Sequence, residues 1–384
     1  MDVILTANYS PWSSYHGGIQ KSVDQLARAM TAQGAQVTAV FSRGCSETIQ
    51  APELPYNVRW ARFFGFHPNI SSPLRIWNAL SFRNLIKDIK HPHTIIQSNG
   101  DEAWAFKNLV RGRHLYTHRQ PFFPAYLQGD WDLPLHQCRV FLRNTREWSY
   151  AQALFAADQV ACTSKFSLDA LRSTYGYERG IQIIPNGIDA TFLQTELPDQ
   201  KAYIAYFGRL SRGKGVQELV EAWAQLNAPF RKRFPLFLAG SGELEPWIRK
   251  FSQALPNDEI IQLCGTLYGQ QLSSFVGRAS LVVLPSQSES FGNTALEAIA
   301  MGHQIIAVRA GALPEVVGSH ADWLQSVSIA ELVSKLTSRL ENWRPEPLTL
   351  RQARRDWVQQ NFSWDKAARL FLAEHEKIRM RHPN

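Results

Sequence analysis

Apolar and polar positions fall into two series along the chain, each alternating short apolar runs with helix-length amphipathic stretches. DVILTA, GGIQKSVDQLARAMTAQG and AQVTAVF make an opening strand-helix-strand unit, and TIIQS, HLYTH, QVACTS and IQIIPN follow with helix-length segments between them. Short apolar runs bounded by turn formers suit strands buried on both faces, and their alternation with helices predicts a parallel, doubly wound sheet. After Pro185-Asn186-Gly187, IDATFLQTELPDQK has no clean period and carries turn formers, so it reads as a linker. A second series then runs through AYIAYFG, VQELVEAWAQL, FPLFLAG, a helix from Glu243, EIIQLCG, QQLSSFVGRA, SLVVLP, a helix at Thr294 and QIIAV. The tail SWDKAARLFLAEHEKIRM reads as one more helix. The pattern therefore predicts an α/β protein with two Rossmann-like domains in tandem, whose interdomain cleft is the natural ligand site.

A chain of 384 residues, 45% hydrophobic, has room for two cores and excludes disorder as its general state. No apolar run reaches the roughly eighteen residues of a membrane span, and MDVILTANYS lacks a basic n-region and a long h-region. The expectation is a cytoplasmic, non-spanning protein. Cys45, Cys138, Cys162 and Cys264 are scattered, with no paired spacing, so they read as buried reduced thiols, with neither disulfides nor structural zinc expected. The net charge of +8 is uneven: Arg59 to Arg119 holds ten Lys/Arg against Asp88, Asp101 and Glu102. Within it, PLRIWNALSFRNLIKDIK reads as an amphipathic helix, with Leu74, Trp77, Phe82, Leu85, Ile86 and Ile89 on one face and Arg83, Lys87 and Lys90 opposite. Such a face either lies on an anionic membrane or is simply solvated. Nucleic-acid binding lacks its usual signatures here.

The candidate chemistry sits beyond two apolar runs. Glu289 and Glu297 bracket ESFGNTALE after SLVVLPS, where carboxylates can accept hydrogen bonds from a hydroxyl-rich ligand and the Gly292-Asn293 turn lets backbone approach it. The competing reading makes Glu297 the partner of Thr294 in a helix capping box and Glu289 a solvated loop residue. Gly208 to Gly215 (GRLSRGKG) lies between a strand and a helix, where backbone amides, Arg209 and Lys214 favour a phosphate, or it is simply a basic turn on the surface. It matches a P-loop up to the last position, where Gly215 replaces the magnesium-ligating Ser/Thr. Near the N-terminus, His16-Gly17-Gly18 precedes the first helix and permits close backbone approach to a ligand, or is a plain loop.

Taken in order, HGGIQKSVDQLARAMTAQG, ACTSKFSLDAL, IIPNGID, YFGRLSRGKGVQELVEAW, LAGSGELE, LPSQSESFGNTALEAIAMG and GALPEVV resemble the family-four (GT4-type, group 1) retaining glycosyltransferases. That resemblance implies the GT-B fold, two facing Rossmann-like domains: an acceptor-binding one at 1–188, a donor-binding one at 189–362 and a C-terminal helix at 363–384 packing back on the first. It implies that Arg209 and Lys214 bind the donor diphosphate and Glu297 the ribose. Glu289 and the backbone of Phe291, Gly292, Asn293 and Thr294 would contact the transferred sugar. Gly17 and Gly18 would approach the donor phosphates, and Cys264 to Leu267, with Gly265, would meet the base. His118 matches a histidine facing the sugar; a buried, hydrogen-bonded histidine is the other reading. Departures are His303-Gln304, where members place a proline and an apolar residue, and Ala312 in place of a second glycine. The implied reaction moves a hexosyl group with retention from a nucleoside diphosphate sugar, UDP before GDP, to a hydroxyl of a glycan or glycolipid, as in bacterial cell-surface polysaccharide or lipopolysaccharide synthesis. No cofactor or metal is expected. Asp130-Trp131-Asp132 spells the metal-binding motif of another glycosyltransferase fold, but it follows PAYLQG rather than an apolar strand. An epimerase, an NTPase and a sugar-nucleotide binding protein are the rival classes. Expected partners are the sugar nucleotide, the acceptor and an anionic membrane surface, with peripheral attachment at the inner face of the plasma membrane.

Overall fold

The computed structural model describes residues 1–13, 17–44, 48–49, 51–63, 75–119 and 148–382. The chain divides into two compact units, Met1–Gly187 with Trp364–Asn384 (unit 1) and Ile188–Ser363 (unit 2). Unit 1 carries, among the described residues, a seven-stranded sheet built from β1 Asp2–Ala7, β2 Gln36–Gly44, β3 Asn57–Phe63, β4 Ile95–Ser98, β5 His114–His118, β6 Gln159–Cys162 and β7 Ile181–Ile183. Unit 2 carries a six-stranded sheet of β8 Ile204–Phe207, β9 Leu236–Ala239, β10 Ile261–Gly265, β11 Leu281–Leu284, β12 Ile305–Val308 and β13 Ala321–Leu324. Every strand pairing is parallel.

The spatial orders are β3-β2-β1-β4-β5-β6-β7 and β10-β9-β8-β11-β12-β13. In both units the order reverses between the first strand and the fourth, that is, between β1 and β4 and between β8 and β11. Connections from such a neighbouring pair run to opposite faces of the sheet and leave a crevice at the carboxyl ends, where ligands of this architecture bind. The central strands β4, β5, β8, β11 and β12 are buried along their whole length; β8, β11 and β12 are apolar throughout, whereas β4 and β5 bury polar side chains that bond to one another, Gln97 to Thr117 at 2.9 Å and Ser98 to His114 at 2.7 Å.

The C-terminal helix Trp364–Arg381 belongs to unit 1. Its Ala367, Ala368, Phe371 and Ile378 enter the same core as Leu26 and Met30 of the Gly18–Ala32 helix and Val37 of β2. Gly187 meets this helix so closely that a Cβ there would lie 2.3 Å from the Trp364 backbone nitrogen.

Several local expectations need correction. The stretch that reads as a linker contains the helix Ala190–Gln194, started by Asp189, whose carboxylate accepts a hydrogen bond from the Thr191 N–H at 2.9 Å. Strands β3 and β13 carry no sequence signal, because NVRWARF and ADWL contain charged residues and lack a clean apolar run. The basic helix forms at Arg75–Ile89, with Phe82 and Ile86 in the core and Arg83 and Lys87 exposed, whereas Leu74 lies outside the described residues. Trp77 is not on the core face but 59% exposed. Five residues before Phe82, it is turned about 140° away on a helical wheel. Lys90 is no solvated member of the basic face: its ammonium donates to the Leu109 carbonyl at 2.8 Å. Cys162 is a buried thiol pushed up to about 12 by burial, but Cys264 is only half-buried, on edge strand β10 beside a break in register. Cys45, Cys138 and Asp130-Trp131-Asp132 lie outside the described residues. Among the described residues no helix is long and apolar enough to cross a membrane.

Candidate functional site

In unit 2 the loops leaving β8 and β11 meet at the reversal of strand order. The first is Gly208–Gly215, closed by a tight turn at Arg212–Lys214. Gly215 sits at φ +67°, and a Cβ added there would lie 2.1 Å from the Pro285 carbonyl oxygen, so glycine lets this loop lie against the end of β11. The Gln287 N–H donates to the Gly213 carbonyl at 3.2 Å, fixing the register of the two loops. Above this seam the Lys214 ammonium donates to Glu289 Oε1 at 2.6 Å, with both side chains partly open to solvent. The P-loop reading fails sterically as well as chemically, since a Ser or Thr side chain has no room at position 215.

Arg209 is exposed at the head of the same loop, and its carbonyl accepts from the Tyr206 hydroxyl at 2.8 Å. Burial pushes the Tyr206 phenol up, Glu289 adds to the rise and Arg209 opposes it, so both charges act on one phenol. Glu289 is held from behind by the turn that opens GALPEVV. Its carbonyl accepts from the Ala312 N–H at 2.8 Å, and Gly311, at φ +59°, lies where a Cβ would be 2.1 Å from that carbonyl oxygen.

The helix Asn293–Ala300 opens from Gly292, the residue preceding its first turn, at φ +96°. Thr294 is therefore inside the helix, and the capping box expected of Thr294 and Glu297 does not form. Glu297 stands one turn in, half-buried. Phe291 is 3% exposed, with its ring packed on Phe362, so only its backbone is available to a ligand. The loops after β8, β9 and β10 are joined by backbone bonds: Gly208 N–H to Ala239, Leu210 N–H to Ser241 and Gly240 N–H to Gly265. Added Cβ atoms at Gly240 and Gly242 would lie 1.9 and 2.3 Å from the Gly208 and Leu210 carbonyl oxygens, which explains the glycines of LAGSGELE. Gly265 and Thr266 are exposed at the end of this row, with Leu267 half-buried. His303, one departure from the family pattern, is buried and bonded to the Val276 carbonyl at 2.8 Å, and burial lowers its pKa to about 3.

In unit 1, His118 ends β5 and is 3% exposed. Burial lowers its pKa to about 4, so the imidazole is neutral near pH 7. Gly17 precedes the Gly18–Ala32 helix in extended conformation, and its N–H donates to Gln20 Oε1 at 2.9 Å; His16 lies outside the described residues. Gly17 and Gly18 are partly and fully exposed, and neither is a glycine of positive φ. Sequence reasoning missed three features of this unit. Tyr9, after β1, has φ +63°, a strained conformation for a bulky residue. Glu102 is 2% exposed and accepts from the Thr6 hydroxyl at 2.7 Å and the Asn8 amide at 3.0 Å. Arg119, next to His118, is 6% exposed. Nothing in NYSPW, DEAW or THRQ signals these roles, which depend on contacts between distant strands.

Residues 16–192 match the model of Glycosyltransferase Family 4, and residues 188–362 that of Glycosyl transferases group 1. The D-inositol 3-phosphate glycosyltransferase of Pseudarthrobacter chlorophenolicus is 30% identical over 59% of this chain and 57% of its own. The glycogen synthase of Mycobacterium tuberculosis is 29% identical over 92% of this chain and 89% of its own. An uncharacterized glycosyltransferase of Methanocaldococcus jannaschii matches over 44% of its own length, so the chain spans about half of several curated relatives. Among solved structures, sucrose-phosphate synthase from Thermosynechococcus elongatus superposes over 99% of this chain and 100% of its own, with TM-score 0.79 and 19% identity. Anabaena HepE in complex with UDP and glucose covers 97% of this chain and 98% of its own, with TM-score 0.70 and 16% identity. With two parallel-sheet units of the same strand order and two family models that between them run from residue 16 to residue 362, the chain belongs to the GT4-type group 1 glycosyltransferases and has the GT-B fold.

Proposed function

We propose that the protein is a retaining glycosyltransferase that moves a hexosyl group from a nucleoside diphosphate sugar, UDP before GDP, to a hydroxyl of a glycan or glycolipid. The observation that carries this reading is the Lys214–Glu289 pair at 2.6 Å, which sets a cation and a carboxylate side by side at the crevice of unit 2. A diphosphate needs the cation and a sugar hydroxyl needs the carboxylate, and the two loops hold both in one register. HepE, with UDP and glucose in its structure, gives the fold a precedent for such a ligand.

On this reading Arg209 and Lys214 face the diphosphate, and the backbone of Phe291, Gly292, Asn293 and Thr294 meets the transferred sugar. Charge-assisted hydrogen bonds of this kind are worth about 1.5–3 kcal/mol each. Glu289 passes from Lys214 to a hydroxyl of the sugar, Glu297 holds the ribose, and the backbone of Gly265 to Leu267 meets the base. The bond from the anomeric carbon to the diphosphate oxygen breaks, and the acceptor oxygen bonds to that carbon on the same face. The acceptor proton passes to the leaving phosphate. Stabilising the charge on the leaving diphosphate contributes most to the rate, and side chains supply it without a metal. His118, neutral by burial, orients a sugar hydroxyl or relays a proton. Gly17 and Gly18 are proposed to approach the donor phosphates.

The test is nucleotide release from UDP- and GDP-sugars with and without glycan and lipid acceptors, the product anomer being read by NMR. Release that depends on acceptor, an unchanged anomeric configuration and full activity in chelator support the proposal. Inversion or an absolute magnesium requirement refutes it; a donor recovered with altered stereochemistry and no acceptor identifies an epimerase. A second reading rests on exposed Trp77, Arg83 and Lys87 of the Arg75–Ile89 helix, an aromatic and two cations suited to an anionic bilayer. Wild-type protein should sediment with vesicles containing phosphatidylglycerol, and a variant with Trp77→Ala, Arg83→Glu and Lys87→Glu should not. Equal sedimentation of the two removes the membrane from the proposal.

A further inference from the structure

Arg119 is a buried cation whose bonds are incomplete. It stands at the carboxyl end of β5, directly after His118. Its Nε donates to Asn99 Oδ1 at 2.9 Å, and its Nη1 donates to Asn186 Oδ1. Nη2 is buried and, among the described residues, has no hydrogen-bond partner. Both partners are neutral amides, and among the described residues no carboxylate pairs with the guanidinium. Burial is what lowers its pKa, to about 10, so it stays charged at neutral pH. The nearby carboxylate, Glu102, is committed to Thr6 and Asn8, and Asn99 reaches the same strand through its amide, which donates to the Thr6 carbonyl at 3.0 Å. A buried charge left with an open N–H costs several kcal/mol unless something completes it. Asn99 and Asn186 hold the guanidinium in place, at the end of the sheet where this architecture binds ligands.

We propose that Arg119 completes its bonds with an oxyanion of the acceptor, a phosphate or a carboxylate carried near the hydroxyl that receives the sugar. This rests on the glycosyltransferase reading and narrows it, because a neutral glycan would leave the guanidinium unpaired. Asn99 and Asn186 are the positioning residues.

The test uses full-length protein carrying Arg209→Ala and Lys214→Ala, which removes the other cationic pair, and titrates it calorimetrically with inorganic phosphate and, separately, with acetate. One phosphate should bind, and Arg119→Gln in this background should weaken it by at least about tenfold. Acetate binding at the same residue would assign a carboxylate instead. Because Arg119→Gln could disturb folding, Asn186→Asp is the second variant: an internal carboxylate should neutralise Arg119, abolish anion binding and leave the melting temperature equal or higher. Absence of anion binding in the parent, or unchanged binding in both variants, overturns the proposal. UDP binding to the otherwise wild-type chain is measured alongside. Its loss in that protein would count against the glycosyltransferase reading itself, and its persistence without anion binding would reject only the Arg119 site.

Discussion

Gly215→Ser completes a P-loop consensus, so it separates two readings of one loop. The structure makes it damaging. A Cβ at this position would lie 2.1 Å from the Pro285 oxygen and 3.0 Å from both the Pro285 carbon and Val327 Cγ1. Ordinary contact requires the loop or the end of β11 to move by about 1 Å, an overpacking cost of about 1–3 kcal/mol. The residue is also at φ +67°, which costs a non-glycine residue roughly 1–2 kcal/mol more. A total of about 2–5 kcal/mol corresponds to a fall in melting temperature of roughly 4–20 °C for a domain of this size. The same movement separates Gln287 from Gly213 and Lys214 from Glu289, so UDP affinity should fall as well. Gly213→Ala is the matched control: its Cβ would meet nothing within 4 Å, and it should change stability by no more than about 0.5 kcal/mol. Calorimetric melting and UDP titration of the three proteins make the comparison. A serine variant that melts and binds like wild type, or that gains ATP hydrolysis, would refute the geometry.

Arg209→Ala and Lys214→Ala should each lower the rate of nucleotide release by about two to three orders of magnitude, the scale for one transition-state donor; wild-type rates in both would remove the diphosphate assignment. Glu297→Gln should raise the donor KM by about tenfold with kcat changed less, and an unchanged KM would remove the ribose assignment. Burial lowers His114 to about 4 and His303 and His375 to about 3, against about 6.5 in the unfolded chain. The unfolded state then binds more protons below pH 6.5, so stability should fall from pH 7 to pH 5 and continue falling toward pH 4. Equal urea midpoints at pH 7 and pH 5 would contradict neutral burial of these rings.

The alternation of apolar runs is enough to anticipate two parallel sheets, because strands buried on both faces, such as Val3 to Ala7 and Leu281 to Leu284, cannot hide their composition. Edge strands can be hidden: β3 needs only one buried neighbour and tolerates Arg59 and Arg62, and β13 accommodates Asp322. Trp77 misleads because a large apolar side chain suggests the core by type, although its angular position faces outward. The candidate site is legible where chemistry and loop position coincide, at Lys214 and Glu289, which the structure brings together. Their connection is not legible. Lys214 and Glu289 are 75 positions apart, and only the seam at Gly215 brings them together. Thr294 and Glu297 have capping-box spacing, yet Gly292 starts the helix two residues earlier, so the spacing is coincidental. Arg119 and Tyr9 carry no local signal at all, since what distinguishes them is a missing bond and a backbone angle.

The Trp364–Arg381 helix gives this protein an unusual order of manufacture. Synthesis at about 5–20 residues per second leaves roughly ten to forty seconds between the emergence of Gly187 and that of the helix. For that interval the surface awaiting Ala367, Ala368, Phe371 and Ile378 is uncovered on the nascent chain, while the intervening unit can already fold. The first half of the chain is thus finished last, and an excised fragment of residues 1–187 should aggregate unless the helix is supplied to it as a separate peptide.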